Sequence, residues 1–232
     1  ATNRTPGRGI MKPSDIAQDG LWRNNPALVQ LLGLCPLLAV SNTLINGLVL
    51  GLLTIFVLVG SNGVVSLCQK WLDETTRLPA QILIIATFVT LADLLLQSVS
   101  FELHQRIGLF VALIVTNCVI LGRAESFARK QSFILALLDG FFMGLGFFFV
   151  IVALSALREL IGQGTLFAGA HLIFGPGATR WTLEIADNGL LLAALPPGAF
   201  LLFGLMIAFK NWIDLLRNEQ RQKIRNTQAP QG

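Results

Sequence analysis

The sequence predicts an all-α membrane protein: six transmembrane helices in two inverted three-helix repeats, the first and fourth segments short or broken. Three observations carry this fold class. The 232 residues are 53% hydrophobic and 13% charged, whereas a soluble domain carries about 25% charged residues. Runs at 44–65, 78–96 and 189–209 are nearly free of charge, and roughly 20 apolar residues suffice to cross the hydrocarbon layer. Finally, matching patterns recur in the two halves. A membrane β-barrel would instead show alternating segments of about 10 residues.

The segments fall at about 27–41, 43–67, 78–100, 106–121, 132–160 and 189–214. Residues 1–26 are polar, carry Arg4, Arg8, Lys12 and Arg23, and lack the apolar core of a cleavable signal peptide. They are expected to form a cytoplasmic N-terminal segment. The membrane domain then spans 27–216, as repeats of about 27–100 and 106–214. Residues 217–232 are polar and are expected to form a frayed cytoplasmic tail.

Orientation follows from the basic residues. Of the 17 Lys and Arg, only Arg106, Arg158 and Arg180 fall on the far side when the N-terminus is placed inside. Basic residues are retained on the cytoplasmic face, so both termini are expected there and the 162–188 loop outside. The net charge of +4 thus follows from topology, and nucleic acid is not a required partner. The basic stretch Lys210–Arg225 is suited to rest on anionic membrane lipid.

Each half opens on a short apolar segment that carries a cysteine, Cys35 within 31–38 and Cys118 within 114–121. Each continues into a glycine-spaced segment: Asn46-Gly47 with Gly51, and Asp139-Gly140 with Gly144. Gly-x-x-x-Gly is common where membrane helices pack closely. Three segments per half is an odd number, so the second half enters from the opposite side. Paired interrupted segments in such a repeat point to a site near the membrane midplane.

The cysteines carry the chemistry. Pro36 lacks a backbone N–H and its ring clashes with the preceding turn, which loosens the helix at Cys35. Gly33 adds backbone freedom. Thr116 and Asn117 bring polar groups beside Cys118, where lipid offers no hydrogen-bond partner. A lone buried cysteine is usually a small hydrophobe, and Cys68, at a segment end, is read so. Two at equivalent positions with broken flanks read as soft-metal ligands for zinc, Cu(I) or an iron–sulfur cluster. An ordinary [2Fe–2S] cluster takes four thiolates, so the missing pair would come from another chain. A homologous protein inserted upside-down would supply it.

Beyond these, Asp93 lies within the third segment, where an ionisable side chain marks a function or a hydrogen-bonded packing contact. It is a possible ion-path residue. Glu102 is expected to be solvated, as are the two histidines, His104 and His171, in outer loops, which argues against a bis-histidine haem. No catalytic residues or phosphate-binding glycine loop are visible.

The run 20–40, from Gly20-Leu21-Trp22-Arg23-Asn24-Asn25-Pro26 through Leu34-Cys35-Pro36, resembles the family of membrane subunits shared by the bacterial Rnf complex and the sodium-pumping NADH:quinone reductase. Val115-Thr116-Asn117-Cys118, Gly122-Arg123-Ala124-Glu125, Leu157-Arg158-Glu159, Gly164-Thr165-Leu166-Phe167 and Leu195-Pro196-Pro197-Gly198 extend the match to about 14–216. The resemblance implies a homologous membrane partner of inverted orientation, RnfA, beside the other Rnf subunits in the bacterial inner membrane. It implies a [2Fe–2S] cluster between the two, ligated by Cys35 and Cys118 plus two partner cysteines. The complex would relay electrons between ferredoxin and NAD and couple this to Na⁺ or H⁺ movement. Pro176-Gly177-Ala178-Thr179 partly matches a flavin-attachment motif of other Rnf proteins, but Pro176 and Arg180 depart from it, so no flavin is expected here. The competing reading is a secondary transporter or channel on an inverted repeat, against which membrane-depth charge is scarce.

Overall fold

The computed structural model describes residues 13–69, 73, 75–166, 183–184 and 195–227. The chain's regular structure there is helical apart from a two-residue antiparallel ladder, Thr165–Leu166 (β1) with Leu183–Glu184 (β2). The helices are α1 (Pro13–Gln18), α2 (Leu34–Val40), α3 (Leu44–Cys68), α4 (Arg77–Val99), α5 (Phe101–Ala112), α6 (Cys118–Ser126), α7 (Phe133–Gln163) and α8 (Pro196–Thr227). A π-helical turn, Asp19–Arg23, continues α1. Among the described residues four helices are long and apolar enough to cross a membrane: α3, α4, α7 and α8.

The first predicted segment, 27–41, is irregular over 27–33 and helical only in α2; α1 and its π-turn precede it. The fourth resolves into two short helices, α5 and α6, with a run of turns at 113–116 between them. Fourth-segment helix therefore begins at Phe101, five residues before the expected boundary, and extends to Ser126 beyond the gap. His104 consequently sits within α5, not in an outer loop. Ser100 explains the early start: its side chain accepts from the Leu103 N–H and caps the first turn. The polar tail also departs from expectation, since α8 runs helically to Thr227. Its residues 217–227 include Arg217, Glu219, Gln220, Arg221, Gln222 and Lys223, all good helix formers that can extend an anchored helix. Residues 167–182, with His171 and the 176–179 motif, lie outside the described residues.

α3 and α7 form the central antiparallel pair, and glycines set their separation. A side chain on Gly51 would meet Phe148, and one on Gly47 would meet Ser155. At the other end of the seam, one on Gly144 would meet Ile55, and one on Gly140 would meet Asn62 and the Leu58 carbonyl. The second set repeats the first with the two helices exchanged: Gly140 and Gly144 follow Gly47 and Gly51, and Phe148 and Ser155 follow Ile55 and Asn62, all by the same number of residues. The two glycine patterns therefore face one seam, each packed on the far half of the other's helix. Leu50, Val57, Leu58, Phe147, Ile151 and Leu154 fill the seam and are buried. α4 and α8 lie outside it and expose Leu83, Leu94, Phe200 and Leu205, as suits contact with acyl chains or another protein.

Candidate functional site

The first cysteine loop is built around Asn25, which is buried. Its Oδ1 accepts from the N–H groups of Ala27 and Leu28 at 3.0 and 3.1 Å. Its Nδ2 donates to the Gly146 carbonyl on α7 at 3.1 Å. This local turn satisfies backbone that lipid could not. It is also pinned to the central helix pair, because Gly20 and Gly146 approach with no room for a side chain on either.

The chain then passes Leu31, at φ 55°, and Gly33, at φ 72°, before α2 begins. A Cβ on Gly33 would lie 2.9 Å from Asn117 Oδ1, Val119 Cγ2 and the Phe147 ring. Gly33 is thus where the first cysteine loop touches the second. Leu32 lies against Gly122, which adds a further contact between them.

Pro36 plays a different part from the one its sequence context suggests. It occupies the third position of α2, whose N-cap is Gly33. First-turn N–H groups have no partner within a helix, and there is no earlier turn for the ring to strike. The interruption therefore precedes Cys35, and Pro36 opens a new helix without breaking an existing one.

The second loop closes differently. Asn117, 2% exposed, caps α6, its Oδ1 accepting from the Val119 N–H at 3.0 Å. Its Nδ2 is buried without a hydrogen-bond partner. Cys118 is the first residue of α6 and Cys35 the second of α2. Both cysteines are exposed, while Pro36, Leu37, Val119 and Ile120 beside them are buried. Each sulfur thus sits in the first turn of a short helix. Cys68 ends α3, half-buried and in neither loop.

Buried ionic contacts hold the two short helices. Arg123 grips Asp139 on α7 through two donors, Nε at 2.9 Å to Oδ2 and a second nitrogen to Oδ1. Glu125 accepts from Gln81 Nε2 at 3.0 Å and lies 3.3 Å from Arg77, both on α4. These contacts fix α6 between α7 and α4. At the opposite end, Arg158 of α7 donates to the Leu38 carbonyl at 3.1 Å and to Ser41 Oγ at 2.8 Å. Its neighbour Glu159 accepts from the Leu44 N–H at 2.6 Å. Adjacent charges therefore serve the carbonyl end of α2 and the N–H end of α3, each opposite in sign to the helix terminus it meets. The sequence signal for all four roles is a charge inside or beside an apolar run, which in lipid requires a protein partner.

Asp93 has such a partner. Its Oδ1 lies 3.1 Å from His104 Nδ1, across the α4–α5 corner. Among the described residues no group of three or more His, Cys, Asp or Glu is placed to hold a metal ion. The loops that carry Cys35 and Cys118 touch at Gly33, beside the unpartnered buried amide of Asn117. Two sulfurs at an exposed surface suit a metal group completed from outside this chain.

The family model described as Rnf-Nqr subunit, membrane protein, matches residues 14–207. The chain is 56% identical over 202 residues to the E subunit of the ion-translocating oxidoreductase complex of Pseudomonas paraeruginosa, covering 86% of this chain and 84% of that protein. It is 52% identical over 221 residues to the protein of the same name from Cellvibrio japonicus, covering 94% and 92%. The Aliivibrio fischeri protein of that name is 52% identical over 211 residues, covering 90% and 93%.

Proposed function

Since this chain belongs to the Rnf-Nqr family of membrane subunits, we propose that it is the E subunit of an ion-translocating oxidoreductase complex and holds half of a [2Fe–2S] cluster through Cys35 and Cys118. The observation that carries this reading is the convergence of the two cysteine loops at Gly33 and Asn117, with both thiols facing outward. A homologous partner in the opposite orientation supplies the other two thiolates. The matched glycine contacts of the α3–α7 seam support such inverted-repeat symmetry within this chain, and the family's pairing follows the same logic. When bound, the cluster supplies one-electron transfer at the membrane midplane, in the path between the ferredoxin and NAD sides.

The chain's own residues do the rest. Cys35 and Cys118 provide thiolates, which favour iron over the hard cations of the bulk phase. Both cysteines stand in first turns, of α2 and α6, where the positive end of the helix dipole offsets negative charge. Asn117 Nδ2 provides a further donor beside Cys118. Buried Leu37, Val119 and Ile120 exclude water behind the sulfurs. The Asp93–His104 pair is assigned to the path of the coupling ion, Na⁺ or H⁺, as an ionisable pair at the edge of the membrane region.

Ligand replacement is the test. Cys35→Ser and Cys118→Ser should each deplete iron and acid-labile sulfide in the assembled complex and remove the EPR signal of the reduced membranes, because a serine oxygen is a hard and poorly matched ligand. Cys68→Ser should leave both at wild-type level. A wild-type [2Fe–2S] signal in either of the first two variants rules out that cysteine as a ligand.

A further inference from the structure

The π-turn and α8 meet in a polar cavity of about 740 Å³ that the cluster reading does not use. Three cations line it, Arg23, Lys210 and Arg217, against one anion, Asp214. Asp214 is already engaged: Trp22 Nε1 and Lys210 Nζ each donate to it at 2.7 Å. Arg23 has Asp19 at 3.6 Å, but those side chains are 72% and 40% exposed, so the pair is heavily screened. The Arg217 guanidinium lies 5.3 Å from the centre of the Trp22 ring. Among the described residues it makes no ion pair. Two guanidinium groups therefore face the cavity with hydrogen-bonding capacity to spare, and guanidinium geometry matches a phosphate.

The depth of the cavity narrows the choice of anion. On α8, exposed Phe200, Leu201, Leu205 and Phe209 precede the first charge, Lys210; over the next two turns exposed Trp212, Leu215 and Leu216 alternate with Asp214 and Arg217, after which the helix is polar. That switch marks the passage from hydrocarbon to headgroups. Trp22 and Trp212, both exposed, sit at the same level, where amphipathic indoles collect. An occupant must therefore place an anion between the arginines and an apolar tail beside Phe209.

We propose that this cavity holds the phosphate of an anionic phospholipid and that the lipid ties the π-turn to α8. The uncompensated positive charge disfavours a headgroup that carries its own cation. The site does not depend on the cluster.

The purified complex, reconstituted in phosphatidylcholine vesicles containing phosphatidylglycerol, tests this with a photoactivatable phosphatidylglycerol and peptide mapping. Crosslinks should map to the Trp22 peptide and to α8 around Lys210. Unlabelled phosphatidylglycerol should compete several-fold better than phosphatidylcholine, and inorganic phosphate should not compete. Arg23→Gln combined with Arg217→Gln, both at exposed positions, should lower the yield at this site several-fold, whereas Arg217→Lys should retain most of it. Iron content, read in parallel, should stay at wild-type level in all of these variants. Equal competition by phosphatidylcholine, or displacement by inorganic phosphate, overturns the proposal. So does a Trp22 peptide that crosslinks to another protein of the complex and never to lipid, because a polypeptide then fills the cavity.

Discussion

Gly33 shows how much one residue decides at this site. Its φ of 72° lies in the left-handed region, and a Cβ there would sit 2.9 Å from three side chains of the neighbouring elements. Gly33→Ala should cost about 1–2 kcal/mol in backbone conformation alone, with further loss as the two cysteine loops are pushed apart. The measurable outcome is a lower melting temperature of the complex in detergent together with lower iron per complex. Arg158 is the second case. Arg158→Leu leaves the Leu38 carbonyl and Ser41 in an apolar setting without their donor, at a cost of about 1–3 kcal/mol. Thermal denaturation should register that loss, and Arg158→Lys should recover part of it through its remaining donors. The importance of Gly33 to the backbone is legible in sequence. Its neighbour across the loop, Asn117, is not, because nothing local links two residues so distant in the chain.

Among the elements, the α3–α7 seam converts a sequence pattern into a testable asymmetry. At Gly47 the first obstruction is the Ser155 side chain, with the Ile151 carbonyl farther at 3.3 Å, whereas at Gly140 the Leu58 carbonyl and Val59 backbone lie as close as the Asn62 amide, at 3.2 Å. Gly47→Ala should therefore destabilise the chain and be partly rescued by Ser155→Gly. Gly140→Ala should destabilise it and resist rescue by any substitution at Asn62. Paired melting curves of these variants decide this, and rescue at both positions would show that side chains alone set the seam. The glycine spacing is readable as helix packing, but its target is open, since Gly-x-x-x-Gly serves any close neighbour. Pro36 defies a sequence reading for a related reason. Proline breaks a helix interior and suits a first turn, and the difference rests on where the helix begins.

For the whole molecule, the exposed thiols and the apolar faces of α4 and α8 predict dependence on a partner. Expressed alone, the chain should carry little or no [2Fe–2S] cluster, and co-expression with the homologous inverted partner should restore it. A full cluster spectrum from a purified monomer would contradict a shared site. Topology has its own check. Cysteines introduced singly into the 162–188 loop should react with an impermeant maleimide in intact cells, and cysteines in the C-terminal stretch should not. The reverse labelling pattern would invert the orientation. Two of the basic residues behind that orientation, Arg123 and Arg158, are held by internal partners, so the asymmetry rests on the loops and ends.

The membrane class, the spans of α3, α4 and α7 and the place of each cysteine in the chain were legible in the sequence, because hydropathy and residue identity are local properties. The sequence also marked both cysteine segments as interrupted, since Gly33 and the Thr116–Asn117 pair are unfavourable in a lipid-facing helix. Only the tertiary structure decided where the interruptions fall, that Pro36 opens a helix, that His104 pairs with Asp93, and that Arg158 and Glu159 secure the α2–α3 turn. It alone brought the two cysteine loops into contact. Each of these outcomes depends on which backbone groups lack a partner after the helices pack, and in a membrane such groups must find one within the protein.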